Sequence, residues 1–321
     1  MSAQGAIRPV EMQVDIEVKD FSMEGLSEVL KIHPAILGHE LVGREGALDA
    51  WSKLIRAPGF AGVLLWGGTE LLGYGASVMV SDEFAEANET HSRPGLNSRV
   101  IEEVHAGSKH ILTEKAIARD NAGDGLNLAM LAGRWSNSRN LTGSRLTEVQ
   151  NMLGATFARL HEGYRLKRIV ADFVDEQDRV FAEATKVYRL TPYLTQTPEF
   201  SGRVLGIADA ESVRAVVGTI VYSLFHTPRP RLRLRPTNQE LLLEALEGGT
   251  DNELADRLGI GLAAVKRRWE SIFRTCEEAG IVSAETERGS NSKRGSQRRH
   301  HVLNYMRRHM EELRPYDPGV C

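Results

Sequence analysis

The residues in this chain whose types and spacing could do chemistry are cationic ones. At about 100° per residue, Ala263, Lys266, Arg267 and Arg274 fall on one side of a helix, and Val265, Trp269, Ile272 and Cys276 fall on the other. A small residue near a helix start followed by Lys-Arg suits a helix that enters the major groove, where cationic side chains reach phosphates or guanine edges. Arg268 sits at the border of that face and is placed for a flanking phosphate. Other chemistry is weakly signalled. His105 and His110 are five apart and do not share a helix face as metal ligands at i, i+4 would, so no metal is expected. Gly67-Gly68 and Gly73-x-Gly75 lack the Lys-Ser/Thr of a phosphate loop and read as turn and bulge formers. Cys276 and Cys321 form neither a metal motif nor a disulfide framework, which fits a reducing compartment. No Ser/His/Asp order and no paired carboxylates stand out, so neither catalysis nor a cofactor is expected.

The elements that must position the cationic face follow from capping signals. Thr237 with Glu240 three residues on, beside Pro236, opens a helix carrying Leu241, Leu242, Leu243, Ala245 and Leu246, and Gly248-Gly249 stops it. Thr250 with Glu253 opens a second, short helix on which Leu254, Ala255 and Leu258 share a face, and Gly259 closes it. The third helix follows at once, the spacing of a helix-turn-helix.

From Thr237 to Ala279 the segment resembles the LuxR/FixJ type of DNA-binding domain. Gly248, Thr250, Glu253, Leu254, Ala255, Leu258, Ile260 and Val265-Lys266 stand in that family's places, while Asp251, Gly261, Ala264 and Arg268 depart from it. The family's fourth, dimerising helix is not visible after Gly280. The resemblance implies a transcriptional regulator whose partner is double-stranded DNA, contacted by Thr250, Leu262, Ala263, Lys266, Arg267, Arg268 and Arg274.

The whole chain bounds this reading. Its 321 residues, 41% of them hydrophobic, suffice for two cores, and a net charge of −3 confines any affinity for polyanions to local patches. The first twenty residues are polar and lack an apolar leader, and no apolar run is long enough to cross a membrane, so a cytoplasmic protein with no membrane partner is expected. The expected fold is α+β. Residues 1–226 form a mixed α/β, sensor-like domain with a small-molecule effector, 227–236 an Arg/Pro linker, 237–282 the all-α helix-turn-helix domain, and 283–321 a basic extension ending in a short helix.

Within the first region, two β-prone runs between Gly62 and Val80 joined by Gly67-Gly68 predict a hairpin, and Gly125 to Trp135 a buried strand. Thr147 with Gln150 marks a helix start. Asp209 caps a helix whose stripe of Val213, Val216, Val217, Ile220, Val221, Leu224 and Phe225 serves either a core or a homodimer seam. The run RLHEGYRLKRI resembles the place where an acetyltransferase of the GNAT kind binds pyrophosphate in a turn at a helix N-terminus. Gly163 is alone there, where that family's R-x-x-G-x-[GA] turn has a second small residue, and Tyr164 and Arg165 fill the space. The expectations are thus a DNA-binding regulator that is not an enzyme and, as the alternative, a GNAT-type acyltransferase fused to a DNA-binding module.

Overall fold

The computed structural model describes residues 15–90, 94–136, 141–193, 203–282, 291–317 and 319. Its centre is a seven-stranded mixed sheet in the order β1-β2-β3-β4-β5-β7-β6. The strands are β1 (Ile16–Asp20), β2 (Phe60–Gly67), β3 (Glu70–Val80), β4 (Leu126–Trp135), β5 (Leu166–Phe173), β6 (Arg189–Pro192) and β7 (Val204–Asp209). Every neighbouring pair is antiparallel except β4 and β5, which run parallel. Parallel neighbours need a crossover, and α6 (Gly143–His161) supplies it.

The hairpin expected between Gly62 and Val80 is β2 and β3, with Gly68 at φ 63° in its turn. β4 is the expected buried strand. The alternation of Met12, Val14, Ile16 and Val18 suits a strand; Ile16 and Val18 lie in β1, and Met12 and Val14 lie outside the described residues. Period-two alternation gives each strand two faces. On one, Tyr74, Ala76, Val78, Ala129 and Val170 pack with α1 (Met23–Ile32), α2 (Gly43–Leu54), α3 (Asp82–Glu89) and α4 (Leu96–His105) around Trp51. On the other, Val63 and Leu65 meet Val149 of α6, while Leu128 and Ile169 meet Ile117 of α5 (Glu114–Ala122).

Two local expectations are corrected. Thr147 does not start a helix: it lies one turn inside α6, and its hydroxyl donates to Gly143 O. The continuous helix after Asp209 is broken into a 3₁₀ turn (Ser212–Val216) and a short α8 (Ile220–Leu224), because Gly218 at φ 86° interrupts it. Its stripe therefore splits, with Val213 and Leu224 buried in the sheet's second layer and Val217 exposed. The Arg/Pro run before Pro236 packs on the helices that follow it. Its alternation buries Leu232 and Leu234 and leaves Arg231, Arg233 and Arg235 exposed.

The helices α7 (Glu176–Thr185), α9 (Pro236–Leu246), α10 (Asp251–Leu258), α11 (Leu262–Glu278) and α12 (Asn291–Met306) complete the chain. α9 to α12 share a hydrophobic cluster around Trp269 and Met306 that is separate from the sheet's layers. The last turn holds the two parts together. The buried Glu312 carboxylate accepts from Arg231 N and Leu232 N at 2.9 Å and from the Tyr305 hydroxyl at 3.1 Å, which satisfies it fully. Beyond it, Asn121 Nδ2 donates to Pro315 O and Asp317 N to Ala118 O, tying the strap to α5.

Candidate active site

The sheet parts at one place. β4 and β5 pair from Leu126 only as far as Met130 opposite Ala171. On the β3 side, Ala76 faces Ala132 and Ser77 faces Met130, so Leu131 is an extra residue in β4, a bulge that bends the strand away from β5. Beyond it, β4 runs on to Trp135 beside β3 alone, and its other edge lies open inside the sheet.

Polar side chains from several elements converge where the strands part. Tyr74 of β3 is the cross-strand neighbour of Arg134 of β4. Arg134 reaches Asp175 at 2.5 Å and Asp178 at 2.6 Å, just past the end of β5. Asp175 also caps α7, accepting from Asp178 N at 2.9 Å, so the helix start fixes both acids. Burial opposes charge on Arg134 and Asp178. In Arg134 the two carboxylates outweigh it and the guanidinium pKa is raised. In Asp178 burial outweighs Arg134, with Asp175 adding to it, and the carboxyl is raised. The two directions pull apart, but contacts this short belong to an ionised pair.

His33 ends α1, and its Nδ1 meets the Tyr74 hydroxyl. Burial, then the Arg134 charge, lowers His33 to about 4, so at neutral pH its ring is uncharged and accepts the Tyr74 proton in a hydrogen bond. Burial raises Tyr74 well above the usual tyrosine range, so its hydroxyl stays a donor. On the same sheet face, Asp172 of β5 accepts from Gly95 N and Leu96 N at 2.7 Å and from the Tyr193 hydroxyl, which seats the start of α4 over the parting. Asn97 of that turn donates to Ile36 O, and its buried Oδ1 has no hydrogen-bond partner among the described residues. This leaves an acceptor in place for a donor from outside the chain.

α6 begins shortly after β4 ends, at the same end of the sheet. Its N-cap Thr142 makes no side-chain cap, its first turn holds no acid, and Gly143 at φ 53° has open space around its Cβ position. Helices α1, α3, α5, α7 and α10 are capped by side chains, whereas α6, like α2, α9 and α11, has no side-chain cap among the described residues, and helix-start amides of this kind suit an anion. Gly163 does not stand at a helix N-terminus. Gly163 follows the C-terminal end of α6 at φ 85°, and a Cβ there would strike the Met310 backbone. That glycine seats the C-terminal strap and binds no phosphate turn.

The residues expected to touch DNA are brought together on no charged pocket. Thr250 is spent in a complete capping box with Glu253. Arg268 donates to Thr237 O at 2.8 Å and pairs with Glu240. Leu262, Ala263, Lys266, Arg267 and Arg274 are exposed on α11. Arg298 and Arg299 of the basic extension stack on Phe273 and Trp269 and pair with Glu277 and Asp251. Sequence reasoning missed His33, Tyr74, Arg134, Asp172 and Asp178. The one local signal among them is Asp175 three residues before Asp178, a helix cap.

Among solved structures, the chain is similar to the loading GNATL domain of CurA from Lyngbya majuscula, at 13% identity over 61% of this chain and 98% of that one, with a TM-score of 0.38. It is similar to FeeM, an N-acyl amino acid synthase from uncultured soil microbes, at 8% identity over 65% and 97%, TM-score 0.36. An acetyltransferase from Thermus thermophilus matches at 13% identity over 61% and 97%, TM-score 0.31. No protein-family model matches the chain, and no curated protein matches it. The expectation of a LuxR-type, DNA-binding regulator without enzymatic activity is corrected accordingly. Two of these three structures are named an acetyltransferase and an N-acyl amino acid synthase, none of the three is named for DNA binding, and the convergent buried polar groups lie in the sheet, not on α11. Among the described residues no helix is long and apolar enough to cross a membrane, and no cluster of metal-ligating side chains occurs.

Proposed function

We propose that the chain is an acyltransferase, moving an acyl group from a thioester donor such as acyl-CoA to a small acceptor amine. The observation that carries this reading is the parting of β4 and β5 at the Leu131 bulge, beside Tyr74, His33 and Arg134. The open edge of β4 offers backbone donors and acceptors to an extended, amide-containing donor arm, as an added strand would take them. The uncapped start of α6 lies where the donor's phosphates would reach it.

The side chains divide the remaining work. The acceptor nitrogen attacks the thioester carbonyl, the C–N bond forms, and the C–S bond breaks. Tyr74 gives its proton to the departing sulfur and takes one from the nitrogen of the adduct, so protons and charge balance. Neutral His33 holds the Tyr74 hydroxyl in place, and Arg134 lowers the cost of negative charge on the phenol oxygen. Asn97 Oδ1 is an acceptor for the amine's N–H.

The test is thiol release from acetyl-CoA and longer acyl-CoAs, with a panel of amines, by the full chain and by Tyr74→Phe. The phenyl ring keeps the core filled, so donor binding should change less than twofold while kcat/KM falls on the order of 10²-fold or more. Absence of saturable acyl-CoA binding and of acceptor-dependent thiol release in the unmodified chain would overturn the reading.

A further inference from the structure

A cavity of about 390 Å³ lies away from that site, at the other end of β3, where Phe21 and Phe60 of the first layer meet Met79, Leu160 and Tyr164 of the second. Phe60, Ala61, Met79 and Leu160 give it apolar walls, and Asp20 stands on the β1 side. Its far wall comes from two distant parts of the chain: Tyr164, just after α6, and Arg314 of the C-terminal strap. The Arg314 guanidinium lies over the Tyr164 ring at 4.5 Å. Nε donates to Glu162 O at 2.7 Å and Nη2 to Leu160 O at 3.4 Å, which fixes the plane. Nη1 and the Tyr164 hydroxyl have no hydrogen-bond partner among the described residues. His161, also in the wall, is committed elsewhere: Nδ1 donates to Phe157 O at 2.7 Å and Nε2 accepts from the Ser77 hydroxyl at 3.1 Å.

We propose that this cavity binds a small carboxylate with an apolar body, its oxygens held by Arg314 Nη1 and the Tyr164 hydroxyl and its body against Met79 and Leu160. The volume falls in the range of small-molecule sites, which combine apolar walls with a few fixed polar groups. A fixed guanidinium with an adjacent phenol hydroxyl is a two-point match to a carboxylate, and its planar fork is already ordered before binding. The site also has a structural consequence. Gln239 of α9 donates to Glu312 O at 3.0 Å and to Arg314 O at 2.8 Å, so the strap that completes the cavity is gripped by the helical part of the chain. A ligand that contacts Arg314 therefore binds only the arrangement in which the helices are docked on the sheet, and it shifts the population toward that arrangement.

The experiment titrates octanoate into the full chain by calorimetry, with octanol as the uncharged comparison, and follows amide exchange in residues 310–317. One saturable site is expected, with octanol at least tenfold weaker and slower exchange in the strap. Tyr164→Phe keeps the ring beneath Arg314 and should weaken octanoate about tenfold, while Ala61→Leu, which fills the cavity, should abolish binding. Should Ala61→Leu fail to fold by circular dichroism, Tyr164→Phe decides alone. No saturable octanoate binding, equal binding of octanol, or affinity unchanged in Tyr164→Phe overturns the proposal. The last result also covers octanoate seated at the parting of β4 and β5, so failure here leaves the acyltransferase reading standing.

Discussion

The cationic face of α11 and the cluster at the parting of β4 and β5 both concentrate charge, and they do so in opposite ways. On α11, Lys266, Arg267 and Arg274 come from one helix, are exposed and have no ion-pair partner among the described residues. At the parting, His33, Tyr74, Arg134, Asp175 and Asp178 come from the end of α1, β3, β4 and the start of α7; burial drives the shifts of His33, Tyr74 and Asp178, and in Arg134 the two carboxylates overcome it. Solvated charges keep their ordinary chemistry. Groups held together out of water have theirs changed, and their geometry is prepared before any ligand arrives. The contrast explains why the same chain displays its most conspicuous charge pattern away from its buried polar cluster.

Removing charge should therefore cost very different amounts in the two places. Arg134→Met leaves Asp178, with a side chain 17% exposed, facing Asp175 without its cation. Breaking a largely buried pair from one side costs about 3 kcal/mol. Lys266→Ala with Arg267→Ala should stay within about 0.5 kcal/mol, as surface substitutions do. Urea unfolding of the full chain measures both. Equal costs in the two variants would erase the distinction between the regions.

That distinction also governs what can be read from the sequence. Helix caps, hairpin turns and amphipathic spacing are local, so β2, β3, β4, α10 and α11 are visible in the order of residues, down to the capping box of Thr250 and Glu253. The buried side of α11, Val265, Trp269, Ile272 and Cys276, follows from period alone. The site is not legible because Tyr74 meets His33 across 41 positions and Arg134 meets Asp178 across 44. No spacing rule links such residues until the strand order is known. The bulge at Leu131 leaves no mark either, since an extra residue in a strand looks like any other apolar position. Gly163 stands out in the sequence, but for the wrong contact. A lone glycine is demanded equally by a phosphate and by a crossing backbone, and here it is Met310 that crosses.

Burial in the sheet predicts an acid-sensitive window that the exposed helical face does not supply. His161, between Ser77 and Phe157 O, is lowered from 6.5 to about 4, by burial first and then by Arg314, against the opposing hydrogen bond to Phe157. The unfolded chain takes up this proton below pH 6.5 and the folded chain resists it until about pH 4. The contribution is whole above pH 6.5 and is lost as pH falls through that window. It is on the order of 3 kcal/mol for a group this deeply buried. His33 adds a smaller share over the same range, because it is partly solvated. Urea unfolding from about pH 7 to about pH 4 should show the loss, and His161→Gln should flatten most of it. A slope left intact in that variant would place the titrating group elsewhere.

Thr250 sharpens the contrast at its lowest amplitude. Its hydroxyl receives Glu253 N at 3.4 Å, and Glu253 Oε2 receives Thr250 N at 2.6 Å, the reciprocal pattern that satisfies two free donors at the start of α10. The capping contacts lower the Glu253 carboxyl below its ordinary range, backbone Thr250 first. Thr250→Ala should destabilise the chain by about 1 kcal/mol and Thr250→Ser by much less, since serine caps at least as well. Neither should change thiol release from acyl-CoA, because α10 packs into the helical cluster and touches no group at the parting of the sheet. Measured side by side in urea and in the transfer assay, a Thr250→Ala variant that loses activity without losing stability would show that the two regions are coupled by more than their shared strap.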